Sequence, residues 1–254
     1  MLELAAQLNS ALMSLVSGVI RAAPIAVGFL VCSALLGATD LGALFRSLGL
    51  LVAANLCGYV LHAGLLMPLA YWLVTFENPY SYMRGNVPAL TFAFGCASSG
   101  ATLPVTLRCI ENSGVPASVA RSVATWGAVI NMDGSGIYYT VSVLWLAQVG
   151  GQAGAIDAGA YLRAALMASV GSVGSSPIPN AGLILLLTVW QGVFRGVPLP
   201  AEVAYLYSLD WLLDRFITAV NVNGDMLVSR ATAIAAGLVE AGDFTGGKGK
   251  GMGK

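Results

Sequence analysis

Residues 91–106, TFAFGCASSGATLPVT, and residues 169–182, SVGSVGSSPIPNAG, decide how this chain folds. Both are rich in glycine, serine and proline, and in water both would be loops. Yet each lies inside sequence without charge: no Asp, Glu, Lys or Arg occurs in 85–107 or in 164–194. Backbone that leaves the helix inside hydrocarbon must line a cavity or be buried in protein, because lipid offers no partner to N–H or C=O. Two re-entrant hairpins are therefore expected, over 85–112 and 161–193, each a half-helix, a turn and a half-helix.

The surroundings demand a bilayer. Of 254 residues, 57% are hydrophobic and only 9% charged, against about 25% charged in an ordinary soluble domain. Residues 22–39, 47–76 and 134–156 are also free of charge. A spanning helix needs about 20 apolar residues. A water-soluble protein could not cover its surface this way. Transmembrane barrels alternate in short segments, which these runs do not. MLELAAQLNS lacks the basic start of a secretory signal. Twelve basic and twelve acidic side chains cancel, so no net field points to nucleic acid. Cys32, Cys57, Cys96 and Cys109 show no CxxC spacing and read as small buried hydrophobes.

Working outward, residues 1–46 hold a first spanning helix, of scaffold type once the resemblance below is taken into account. Residues 47–238 form a core: helix 47–76, hairpin 85–112, a helix over 120–150 broken at GAVINMDGSG (127–136), hairpin 161–193 and a final helix over 202–238. The stretch ENPYSYMR (77–84) is a polar joint with Asn-Pro turn chemistry. From residue 85 the order is hairpin, interrupted span, hairpin, interrupted span, the pattern of a midplane site built from discontinuous helices. The tail 239–254, Gly/Lys-rich and holding all three lysines, is expected to be disordered. With that tail inside, Arg84, Arg108, Arg121, Arg230 and the lysines flank one side and Arg46, Arg163 and Arg195 the other, in keeping with the positive-inside rule.

Four features carry chemistry. Asp133 sits in a long uncharged stretch, beside Asn131 and Met132. An intramembrane carboxylate usually marks an ion or substrate path. Asn131 offers an amide oxygen, and helix breakage at Gly127, Gly134 and Gly136 frees carbonyls. Such oxygen ligands suit a hard cation, whereas Met132 supplies a thioether suited to packing. In DWLLDRFITAVNVNGD (210–225), Asp210, Asp214, Asn221 and Asp225 recur at spacings of 4, 7 and 4. They share one helix face, which must look inward and bind something that neutralises it. The tips Ser98-Ser99-Gly100 and Ser172–Pro177 can present half-helix N–H groups to a carboxylate.

ASSGATLPVTLRC, GAVINMDGSGIYY, SVGSSPIPNAG and DWLLDRFITAVNVNGD, in this order, closely resemble the signature blocks of the dicarboxylate/amino acid:cation symporters. That family includes glutamate/aspartate transporters and neutral amino acid transporters, and the likeness runs over about 12–238. It implies an all-α membrane protein with a glutamate-transporter-like transport core, working as a sodium-coupled symporter of elevator type and not as an enzyme. It assigns the substrate amine to Asp214 and the α-carboxylate to Asn221, helped by Ser98 and Ser99. Ser135, Ile178, Ile217 and Thr218 become further substrate contacts. One sodium site would use Gly127, Asn131, Asn221 and Asp225. A second would use Val129, Met132, Ser172, Val173 and Ser175, largely through carbonyls, and part of a third would use Asn131 and Asp133. The second hairpin would be the external gate. No cofactor is implied beyond Na+ as coupling ion, and a plasma-membrane location is expected.

Departures refine this. Acidic-substrate members carry an arginine where Ile217 stands, and without it a substrate carboxylate would be buried unpaired. A neutral amino acid is expected, with acidic transport as the alternative. Arg215 is expected near the first hairpin tip. Proton-coupled members have a glutamate where Tyr139 stands, so that coupling is not expected. Pro177 replaces a usual glycine. Family members begin with four further spans, so the chain is expected to be a fragment, trimeric only with those spans present. A transport-incompetent partner of full-length members is the competing reading. An intramembrane aspartyl protease using Asp133 and Asp225 is the third.

Overall fold

The computed structural model describes residues 40–175 and 182–242, with isolated residues among the first 39. Most of the first expected span, Ile178 with Ser176 and Pro177, and the tail beyond 242 lie outside the described residues. What is described is helical, with no strand.

The long first helix starts at Asp40, whose carboxylate accepts from the Ala43 N–H at 2.9 Å, an N-cap that satisfies an otherwise orphan donor. It runs as α1 (Leu41–Leu61), a π-helical turn (His62–Leu66) and α2 (Met67–Thr75). Residues 41–46 thus belong to this helix. Its 35 residues make about 52 Å at 1.5 Å per residue, longer than a hydrocarbon core of about 30 Å. Among the described residues it is the one helix long and apolar enough to cross a membrane. Phe45, Leu50, Val60, Leu69 and Leu73 leave its outer face exposed. Cys57 lies on that exposed face rather than in a core, whereas Cys109 is buried.

Phe76 ends α2 in the left-handed region (φ 58°), and Asn78 then caps α3 (Pro79–Gly85). The first hairpin is α4 (Val87–Cys96) and α5 (Ser99–Asn112). Between them Ala97 takes φ 50° and Ser98 Oγ accepts from the Ala101 N–H, so two residues reverse the chain. The next span breaks where expected: α6 (Ala117–Ile130) stops at Asn131 and α7 (Asp133–Val149) restarts at once. The second hairpin has arms α8 (Ala158–Ser172), capped by Asp157, and α9 (Gly182–Val193).

The final span corrects the expectation of a second interruption. From Val203 to Ala235 it is one continuous helix, α10. A single glycine costs a helix only about 1 kcal/mol, and Asn221 and Asp225 direct their polar groups sideways to α6 and α7 rather than into their own backbone.

Two cores meet on α10. One joins α1, α7, α8 and α9 to its first half, around Tyr138, Leu146, Trp190, Leu206 and Leu213. The other joins α2 to α6 to its second half, around Tyr71, Tyr82, Ile110, Met226 and Leu227. Alanines at i, i+4 and i+8 (120, 124, 128 and 160, 164, 168) are buried, letting helices approach closely, as small residues do in membranes.

Candidate functional site

The two-residue gap between α6 and α7 is knit sideways onto α10. Asn221 Oδ1 accepts from the Gly134 N–H at 2.8 Å, a donor that α7 leaves unpaired in its first turn. Asn221 Nδ2 donates to Met132 Sδ at 3.2 Å. Asn131 Nδ2 donates to Asp225 Oδ1 at 3.0 Å and to the Asn221 carbonyl at 3.4 Å. Close approach requires glycine here. A Cβ on Gly127 would collide with the Asp225 carboxylate, and one on Gly134 would lie 2.7 Å from the Ile217 carbonyl oxygen.

Beside this crossing, one cavity is walled by the first hairpin tip, α7, α10 and both arms of the second hairpin. Ser98, Ser99, Ser135, Asp214, Ile217, Thr218 and Asn221 all line it. Of the substrate contacts expected from the sequence, these are all but Ile178, which is outside the described residues. Thr218 Oγ1 donates to the Asp214 carbonyl, 2.8 Å away, so its methyl and lone pairs remain for a ligand. Asp210, Tyr138 and Tyr139 also line the cavity; Tyr138 and Tyr139 were not singled out as contacts from sequence. At the tip's outer edge Arg215 donates to the carbonyls of Phe94 (3.1 Å) and Gly95 (2.7 Å), near the end of α4. It approaches the first hairpin as expected and satisfies carbonyls that α4 leaves open at its end.

The expected cation ligands divide into two places. Asn131, Asn221 and Asp225 are joined by the hydrogen bonds above, and Gly127 lies against the Asp225 carboxylate. Their donor set is oxygen-only, from amide, carboxylate and main chain, which fits a hard monovalent cation as cargo. Asn131, Met132, Asp133, Ser172 and Val173 line a wider groove between α7 and α8, and Met132 lines the cavity as well. Val129 is not part of that lining, and Ser175 faces the cavity instead. Among the described residues no group of three or more His, Cys, Asp or Glu could hold a metal ion.

His62 is not among the site residues expected from the sequence. Its Nε2 lies 3.1 Å from Asp133 Oδ2, so this carboxylate has a partner from the π turn of the first helix. A lone histidine in an uncharged run, 71 positions away, was the available signal. Asp133 and Asp225 meet different partners, His62 and Asn131, and no hydrogen bond joins them. That is not the proton-sharing pair an aspartyl protease needs.

The chain matches the sodium:dicarboxylate symporter family over residues 1–235. It is 39% identical to human (Homo sapiens) excitatory amino acid transporter 2 over 219 residues, 86% of this chain and 37% of the relative. It is 36% identical to neutral amino acid transporter B(0) of Oryctolagus cuniculus over 233 residues, 91% of this chain and 41% of the relative. Excitatory amino acid transporter 4 of Mus musculus is 37% identical, with 87% and 38% covered. The chain thus spans about two fifths of the length of the curated relatives it matches.

Proposed function

Since the chain belongs to the sodium:dicarboxylate symporter family, a family of transporters and not of enzymes, we propose that it forms the transport core of a sodium-coupled symporter for a neutral amino acid. Residues 47–238 would be that core, in a multi-pass plasma-membrane protein that carries its cargo by elevator-type motion. One observation supports the reading: side chains expected to hold a zwitterion from three separate stretches of sequence line a single cavity.

The chemistry is simple. Asp214 holds the α-amino group, a charge-assisted pair in a water-poor site. The Asn221 amide and the Ser98–Ser99 tip, where α5 begins, receive the α-carboxylate. Gly127, Asn131, Asn221 and Asp225 hold one sodium ion directly behind, and Asn221 belongs to both groups. Ion and substrate then stabilise each other through a shared residue, which is how coupling arises without a covalent step. Val129, Met132, Ser172, Val173 and Ser175 would serve a second ion and Asn131 with Asp133 a third. Assembly as a trimer would draw on the remaining length of the relatives.

Specificity follows from Ile217, buried at the cavity wall. An apolar side chain there gives no partner to a second substrate carboxylate, whose burial would be costly. The test is sodium-driven uptake of labelled alanine, serine, threonine, aspartate and glutamate into proteoliposomes. Neutral amino acids are expected to enter only with a sodium gradient, and Asp214→Ala to abolish uptake. Preference for glutamate, or uptake indifferent to sodium, would overturn the reading.

A further inference from the structure

Tyr139 touches both arms of the second hairpin. Its side chain is fully buried, and its hydroxyl shares a 2.5 Å hydrogen bond with Ser175 Oγ, just beyond the end of α8. The other arm begins at Gly182, where an added Cβ would lie 3.0 Å from the same hydroxyl and 3.3 Å from the ring. The ring thus occupies the place a side chain at 182 would take. One phenol, held on α7, therefore spans the point at which the hairpin arms come together. Ser175 and Gly182 line the same cavity as Asp214 and Thr218.

We propose that Tyr139 is the positioning residue that fastens the second hairpin to α7 and sets how long a ligand stays in the cavity. The identity of that ligand rests on the transport reading; the fastening itself does not. The hydrogen bond is made between two buried hydroxyls, and a buried hydroxyl left without a partner is unfavourable. The Tyr139 hydroxyl also interacts with Ser135 of its own helix, but Ser175 meets that hydroxyl only while the arm lies against α7. Lifting it separates both groups at once, so the bond opposes opening. The ring acts together with the hydroxyl. A planar aromatic with two rotatable bonds is a stiff spacer, and Gly182 is the residue type that lets the second arm close onto it. The contact involves neither Asp214 nor Asn221, so it bears on residence in the cavity rather than on amine or carboxylate recognition; Ser175 is also assigned to the second ion site, and Tyr139→Phe is therefore the variant that isolates the fastening.

The test compares the purified 254-residue chain with Tyr139→Phe, Ser175→Ala and the double variant by hydrogen exchange, and by the dissociation rate of labelled amino acid. Removing either hydroxyl is expected to speed exchange in peptides covering the two hairpin arms by roughly two- to tenfold, the worth of one net hydrogen bond. Exchange in the α10 peptides should not change, which also shows that the variants fold. The double variant should be no faster than either single one, and Ser175→Thr, which keeps a hydroxyl, should restore slow exchange. Gly182→Ala, which displaces the ring, should resemble Tyr139→Phe. Ligand should leave faster by the same factor. Unchanged exchange in Tyr139→Phe, acceleration throughout the chain, or additive effects of the two hydroxyl deletions would each overturn the proposal. A chain that binds no amino acid would sink the transport reading, while the exchange comparison would still decide the fastening.

Discussion

Arg230 donates from Nη2 to Glu77 Oε1 at 2.7 Å and from Nε to Oε2 at 3.3 Å, a two-point ion pair across 153 positions of sequence. The guanidinium side chain is 0% exposed and the carboxylate 1%. The pair gathers four segments. Tyr71 of α2 donates its hydroxyl to Glu77, and the Gly242 N–H donates to it from beyond α10 at 2.6 Å. Arg230 also reaches the Ser113 carbonyl after α5 at 3.1 Å and the Glu240 carbonyl at 3.4 Å. Thus one buried pair ties the base of the first hairpin to α10, while Arg215 ties its tip to the same helix.

Breaking this pair should be severe. Removing one member leaves the other buried and unpaired, which costs about 3–5 kcal/mol. Arg230→Gln and Glu77→Gln are each expected to lower the thermal unfolding midpoint of the detergent-solubilised chain by several degrees. Arg230→Lys should rescue only in part, since an ammonium cannot reproduce the guanidinium fork. A lysine variant as stable as the parent would show that geometry at this pair is unimportant.

The same pair sets an acid limit. Burial pushes the Glu77 carboxyl up, but hydrogen bonds from Arg230, Tyr71 and the Gly242 N–H outweigh it, so the group titrates below its ordinary 4.5. In the unfolded chain the carboxyl takes up its proton first as pH falls, so stability is lost through that window and is fully present above it. The unfolding midpoint should fall as pH drops below about 4.5, and the fall should be smaller in Glu77→Gln. Identical pH profiles for the two proteins would refute the assignment.

How much of this was legible in sequence depends on distance along the chain. The hairpins and the break at Asn131–Met132 were legible because glycine, serine and proline inside uncharged sequence leave few structural choices. The polar face of α10 followed from the four-residue spacing of Asp210 and Asp214 and of Asn221 and Asp225, and Asp210, Asp214 and Asn221 of that face line the cavity. Arg230 was not legible. A charge at the end of an apolar span reads as a flank on the water side, and nothing local announces a partner at residue 77. His62 was missed for the same reason. The alternation of hairpins and interrupted spans suggested a break in α10, but contacts with neighbouring helices keep that span helical.

Gly127 gives a test of the cation site that leaves the cavity lining untouched. A methyl group there would press on the Asp225 carboxylate, and overpacking of this kind typically costs about 1–3 kcal/mol. Gly127→Ala should therefore raise the sodium concentration needed for half-maximal uptake by roughly 5- to 150-fold, with a smaller change in amino acid affinity at saturating sodium. Equal loss of both affinities would argue against a separate ion site at Asp225.

Ile217→Arg addresses substrate choice directly. Ile217 is buried on the cavity wall with Thr218 beside it and Asp214 one turn earlier. A guanidinium there could pair a second carboxylate with two parallel hydrogen bonds, and bonds to charged groups are worth about 1.5–3 kcal/mol. Aspartate or glutamate should then compete with alanine roughly 10- to 150-fold better than in the parent. Alanine itself should bind less well, because the new cation would face Asp214 with no anion to separate them. The check is competition by unlabelled acidic and neutral amino acids against labelled alanine in both proteins. An arginine variant whose preference stays neutral would mean that residue 217 does not set the charge of the cargo, and specificity would have to be sought at the hairpin tips.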